Sequence, residues 1–182
     1  NLPNIGINFD LPNVSKIKKS KNIKKTDKIV FLNLQSLFKL LPNDDHIYFD
    51  IINEVNNCQI WFIEGLNKSI TNSFKNRITK FCHYHDLSFN KYFLIHPRMN
   101  DFDFLNLIKQ SDIILDSLEW SGGKTSLEAI ALHKPIVTLP GEFMRGRYTY
   151  GILKMLKLEE MIASSKREYV EIAIKLATDN NF

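Results

Sequence analysis

The amino-acid sequence predicts an α/β protein in which a parallel sheet carries helices on both faces. Two observations point there. Five short apolar runs are unbroken by polar residues, the pattern of strands buried on both faces. Between them the apolar residues recur every three or four positions, the pattern of amphipathic helices. Because strand and helix alternate five times, crossover connections and a parallel sheet are the expected result.

Taken in order, the strands are Ile29-Val-Phe-Leu32, Ile60-Trp-Phe-Ile63, Tyr92-Phe-Leu-Ile95, Ile113-Ile-Leu115 and Ile136-Val-Thr-Leu139. The first helix follows from Ile47, Ile51, Ile52 and Val55, the second from Ile70, Phe74, Ile78 and Phe81. Phe104, Leu105, Leu107 and Ile108 define a third, and Leu127, Ile130 and Ala131 a fourth. Ser165 and Glu168 have the spacing of a capping box, opening a last helix with Tyr169, Ile172, Ala173 and Leu176 on one face.

The chain of 182 residues is 44% hydrophobic and 24% charged, as in an ordinary folded domain. No apolar stretch reaches the roughly 18 residues of a membrane span, and two cysteines cannot build a disulfide scaffold. No secretory signal opens the chain, so a cytoplasmic location is expected. It begins at Asn1 without a methionine, which suggests a piece of a longer protein. The net charge of +4 comes from one segment: residues 16–28 hold seven lysines against Asp27, leaving the rest near −2. With few aromatics to stack on bases, this run reads as a solvated linker, and neither nucleic acid nor membrane is expected as a partner.

Ligands of such sheets bind at the carboxyl ends of the strands. Five loops lie there: 33–43, 64–68, 96–103, 116–125 and 140–147. The fourth carries Gly122 and Gly123, then Lys124, Thr125 and Ser126 at a helix start. Glycines admit close approach, and free N–H groups at a helix N-terminus attract an anion, typically phosphate. Although Gly123-Lys124-Thr125 resembles a P-loop, Leu118 stands where that pattern requires its first glycine. In the first loop, Gln35-Ser-Leu-Phe-Lys39 offers a lysine that could reach a diphosphate. His96 could orient the site or serve structure, and Phe104 could stack on a base or join the core. Arg145 and Arg147 could bind phosphate, or pair with Glu142 and hold the fifth loop; the structural role is favoured for Arg147. Cys82-His83-x-His85 lacks a fourth ligand nearby, so no metal site is expected.

Together, Trp120-Ser-Gly-Gly-Lys-Thr-Ser-Leu-Glu128 and Lys134-Pro-Ile-Val-Thr-Leu-Pro-Gly-Glu-Phe-Met-Arg-Gly-Arg147 resemble the SPINDLY-type O-linked N-acetylglucosaminyltransferases. Leu158-Glu-Glu-Met-Ile-Ala163, Glu168-Tyr-Val-Glu-Ile-Ala173 and Gln35-Ser-Leu-Phe-Lys39 continue the likeness, and Leu2-Pro-Asn-Ile-Gly6 resembles the end of the family's preceding lobe. The resemblance implies a Rossmann-like three-layer sandwich, the C-terminal nucleotide-binding lobe of a GT-B glycosyltransferase. Residues 28–182 would form that lobe and residues 1–27 an interlobe linker with a remnant of the preceding one.

The implied activity is inverting transfer of a sugar, GlcNAc from UDP-GlcNAc, to protein Ser or Thr, with the UDP-sugar as substrate and no metal or other cofactor. Lys39 would be catalytic, stabilising the leaving diphosphate. Gln35, His96, Met99, Phe104, Gly122, Gly123, Lys124, Thr125 and Glu128 would bind the nucleotide sugar. Within that set, Glu128 would hold ribose hydroxyls, Met99 would lie at the uracil edge and Phe104 would pack on the nucleoside. Lys124 departs from the family's smaller polar residue, and Asp101 stands where some members carry a basic contact. The acceptor protein would be engaged by helical repeats and a lobe before Asn1. Two alternatives stay open at this point: another donor such as GDP-fucose, or a non-catalytic nucleotide-sensing lobe.

Overall fold

The computed structural model describes Asp10, Pro12, Ile23 and residues 26–179. Most of the lysine run, and the segment read as a remnant of a preceding lobe, lie outside the described residues.

The expected sheet is present and parallel throughout. Its strands are β1 (Ile29–Leu32), β2 (Cys58–Ile63), β3 (Phe93–His96), β4 (Ile113–Leu115) and β5 (Ile136–Val137), in the order β3-β2-β1-β4-β5. Register is set by the buried runs: Phe31 lies beside Ile60 on one side and Ile113 on the other.

Side-chain alternation divides the core into two layers. Phe31, Ile60, Phe62, Ile113, Leu115 and Val137 face α1 (Asp45–Glu54), α2 (Lys68–Tyr84) and α7 (Lys166–Thr178). Val30, Leu32, Trp61, Ile114 and Ile136 face α4 (Asp101–Gln110) and α5 (Lys124–Ala131). Three layers result, with apolar burial as the main source of stability.

Some details differ from the sequence expectation. A four-residue helix, α3 (Phe89–Tyr92), takes Tyr92 out of the third strand. β5 pairs with β4 only over Ile136 and Val137; Thr138 instead bridges to Ile162. An unforeseen helix, α6 (Tyr148–Leu156), follows the fifth loop, its apolar pattern weakened by Gly151. The cap of α7 is a shifted box. Ser165 Oγ accepts from the Glu168 N–H at 3.1 Å, but Glu168 Oε2 accepts from the N–H of Ser164 at 2.7 Å, and not from that of Ser165. Asn100 caps α4 by accepting from the Asp103 N–H at 2.9 Å.

One ion pair bears on the site. Arg77 on α2 meets the buried Asp45 of α1 at 2.8 Å and donates to the Leu40 carbonyl at 2.9 Å. Burial pushes the Asp45 carboxyl above its usual range, an effect that Arg77 partly offsets. The bond to Leu40 anchors the loop after β1, directly beyond Lys39.

Candidate functional site

In the order β3-β2-β1-β4-β5 the chain reverses direction of winding between β1 and β4, and ligands of doubly wound sheets bind at that switch point. The loops after β1, β4 and β5 meet there.

The loop after β4 is built on a buried acid. Asp116 directly follows three buried aliphatic residues and is only 5% exposed. Its carboxylate accepts from the Gly122 N–H at 2.8 Å and from the hydroxyls of Ser121 and Thr138, each at 2.7 Å. Thr149, on α6, donates its N–H to Ser121 Oγ at 2.9 Å and keeps its hydroxyl 2.8 Å from Ser126 Oγ. From α7, Tyr169 donates its phenol to the Asp116 carbonyl at 2.7 Å. Burial raises the Asp116 pKa, while these donors favour the ionised form. The web fixes the loop from four elements at once.

The two glycines have different reasons. A Cβ on Gly122 would stand 2.3 Å from Ser126 Oγ, so this glycine is required by packing within the protein. A Cβ on Gly123 would meet nothing within 4 Å. Gly123 is also the N-cap of α5 and supplies no side-chain cap. The first N–H groups of α5 are therefore available beside an open approach, with the positive end of the helix dipole behind them.

Next to this helix start lies a cleft of about 250 Å³. Gln35, Met99, Phe104, Lys124, Thr125 and Glu128 all line it, as do Leu34, Ile63, Arg98 and Asp101. Phe104, Leu34 and Ile63 give it an apolar side. Lys124 Nζ lies 3.4 Å from Glu128 Oε1, one turn along the helix. Burial raises the Glu128 pKa and Lys124 pulls it down. Cations and N–H groups thus stand beside carboxylates that can accept from hydroxyls. That combination suits a molecule carrying both negative charge and hydroxyl groups.

Lys39 ends a 3-10 turn (Leu37–Lys39) and donates to Gln35 Oε1 at 3.1 Å. Its Nζ lies 5.3 Å from the centre of the Trp120 ring. Arg145 approaches the same ring, with Cζ 4.8 Å from its centre. Arg147 has turned away: it donates to the Gly141 carbonyl at 2.9 Å and packs on Tyr150, holding the fifth loop without using Glu142.

His96 stands apart from the cleft. Its ring meets the edge of Trp61 at 4.6 Å, and its Nε2 is sealed from solvent without a hydrogen-bond partner among the described residues. Burial lowers its pKa to about 4, so the ring is neutral at neutral pH. It borders a neighbouring pocket with Ile23, Pro97 and Asp103. Farther off, Cys82 is buried and His85 stacks on Phe81; among the described residues no cluster of three or more His, Cys, Asp or Glu could hold a metal.

Sequence reasoning missed Asp116, Ser121, Thr138 and Thr149 as the support of the loop, and Trp120 as the meeting point of two cations. An acid placed directly after a buried aliphatic run was the available signal for Asp116.

A doubly wound parallel sheet with an uncapped helix start at its switch point is the architecture of a GT-B lobe. The likeness to solved structures agrees. An O-GlcNAc transferase of Thermobaculum terrenum superposes with a TM-score of 0.79 at 22% identity, over 94% of this chain and 32% of that one. The sequence model of glycosyl transferase family 41 matches residues 13–182, and the chain belongs to that family. Among curated relatives, the UDP-N-acetylglucosamine–peptide N-acetylglucosaminyltransferase of Caenorhabditis elegans is 25% identical over 153 residues, 84% of this chain. The probable enzyme of the same description called SPINDLY, from Solanum lycopersicum, is 34% identical over 77 residues, 42% of this chain. The chain spans 13% and 8% of the lengths of these two relatives.

Proposed function

We propose that residues 28–182 form the donor-binding lobe of an inverting protein O-glycosyltransferase, with UDP-GlcNAc as donor and a protein serine or threonine as acceptor. Residues 1–27 belong to this proposal as an interlobe connector, and the cytoplasm as its setting. The observation that carries the reading is the uncapped start of α5, open at Gly123 and flanked by Lys124 and the largely buried Glu128.

In this reading the diphosphate lies against the N–H groups of Lys124 and Thr125. Glu128 accepts from ribose hydroxyls, and Phe104 and Met99 pack against the base. Attack by the acceptor hydroxyl forms the new C–O bond as the anomeric carbon's bond to the diphosphate oxygen breaks; the electron pair leaves with UDP, and the hydroxyl proton is released to solvent. Fixed N–H dipoles and Lys39 stabilise that growing charge. Donors already aimed at the place where charge develops accelerate such a step more than any other single effect.

Titration calorimetry of the 182-residue chain tests the reading. Saturable binding of UDP and UDP-GlcNAc, stronger than that of GDP and GDP-fucose, is the expected result. Tighter binding of the guanine nucleotides would replace the donor; absence of saturable binding by any of them would overturn the lobe's role.

A further inference from the structure

We propose that Arg145 is a second phosphate-contacting residue, held beside Lys39 on the indole of Trp120, so that the two cations clamp the diphosphate of the donor. The proposal rests on the donor-lobe reading and adds a residue to it.

Three loops supply the parts. Lys39 comes from the loop after β1, Trp120 from the loop after β4 and Arg145 from the loop after β5. Both cations reach the ring: Lys39 Nζ is 5.3 Å and Arg145 Cζ 4.8 Å from its centre. Trp120 is 38% exposed, so this contact lies at the mouth of the site. An aromatic face attracts a cation, and both groups lie within reach of this one ring.

Neither cation is tied up in an ion pair among the described residues. The ion pairs among those residues use Arg77, Lys124, Lys154, Lys166 and Arg167; neither Lys39 nor Arg145 is in one. The Lys39 ammonium donates instead to the neutral Gln35. Two positive charges on one ring, neither held in an ion pair, make a local potential that favours an anion.

The arginine is placed by its backbone. Its carbonyl accepts from the Ser121 N–H at 2.9 Å, one residue beyond Trp120. The fifth loop is pinched shut beneath it, where Gly141 N–H donates to the Gly146 carbonyl at 3.0 Å. A Cβ on Gly146 would stand 3.2 Å from Gly141 Cα, so the pinch requires small residues. Ser121 leads directly into Gly122, Gly123 and the start of α5. The clamp is thus continuous with the N–H groups proposed to hold the phosphates. A guanidinium adds what the lysine cannot: a planar fork that holds two phosphate oxygens together.

Calorimetry with inorganic pyrophosphate, UDP and uridine tests this on the 182-residue chain and on Arg145→Ala, Arg145→Lys and Trp120→Leu. The wild type is expected to bind pyrophosphate and UDP. Arg145→Ala should weaken both roughly tenfold or more, the scale of one lost charged hydrogen bond. Arg145→Lys should recover part of the loss, and uridine binding should stay unchanged. Trp120→Leu should weaken pyrophosphate binding through both cations; Arg145 is exposed, so its variants fold even if that one does not. Wild-type affinity for pyrophosphate in Arg145→Ala, with UDP still bound by the wild type, overturns the clamp alone. A wild type that binds neither UDP nor pyrophosphate overturns the donor-lobe reading and the clamp with it.

Discussion

Two carboxylates lie twelve positions apart at the same edge of the sheet, and they are used in opposite ways. Asp116 is enclosed, and its acceptor capacity is filled by Gly122, Ser121 and Thr138. Glu128 is also largely hidden, yet it borders the cleft and meets Lys124 at 3.4 Å. Both have raised pKa values, with burial the main cause. A shifted pKa therefore does not separate scaffold from site here. Unfilled hydrogen-bonding capacity facing open space does.

The largest effect is expected at the enclosed acid. Asp116→Ala leaves an N–H and two hydroxyls unpaired in a dry interior, a loss of about 3–5 kcal/mol. Urea unfolding measures it, and a loss below about 1 kcal/mol would show that the web is not structural. The glycines sharpen the same contrast. Gly122→Ala drives a methyl into Ser126 and should cost roughly 1–3 kcal/mol. Gly123→Ala should leave the midpoint nearly unchanged, because its Cβ meets nothing within 4 Å, while weakening UDP binding if the diphosphate lies at this helix start as proposed. Equal effects of the two glycines on stability would erase the distinction.

His96 gives a pH signature of the opposite sign to the acids. Its folded pKa, about 4, lies below the ordinary value, so the unfolded chain binds the proton more tightly. Its contribution is fully present above the ordinary histidine range near 6.5 and is lost as pH falls toward 4. Allowing for the partial exposure of the ring, the loss is roughly 1–2 kcal/mol. Unfolding at pH 7 and pH 5 measures it, and His96→Phe should flatten the difference. The raised acids lose their contribution as pH rises through their folded pKa, so they cannot produce this fall. The smallest effect on stability is expected from Glu128→Gln, within about 0.5 kcal/mol, with UDP affinity lowered roughly tenfold. Unchanged UDP affinity would remove Glu128 from the site.

Much of this was legible in the sequence because it is local. Unbroken runs such as Ile29–Leu32 define strands without reference to the rest of the chain. Gly122 through Thr125 carry their own chemistry, so Lys124 and Thr125 could be named from spacing, whereas Glu128 was named only through the family resemblance. The support of the loop was not legible, because its partners are distant: Thr138 and Thr149 reach Asp116 and Ser121 across 22 and 28 positions. His96 shows a second limit. At the end of a strand, one step of register decides between the cleft and the edge of Trp61, and spacing alone does not fix that step. The helix α6 was hidden by the glycine in its middle.

The bond from Tyr169 to the Asp116 carbonyl has a consequence for synthesis. It joins residues 53 positions apart, so the loop leaves the ribosome well before the phenol that secures it. A nascent chain that ends before α7 lacks this bond, and its loop is held only by the partners of Asp116 and Ser121 that precede it. In the proposed reading, a chain cut short before the last helix would lose nucleotide affinity along with this bond.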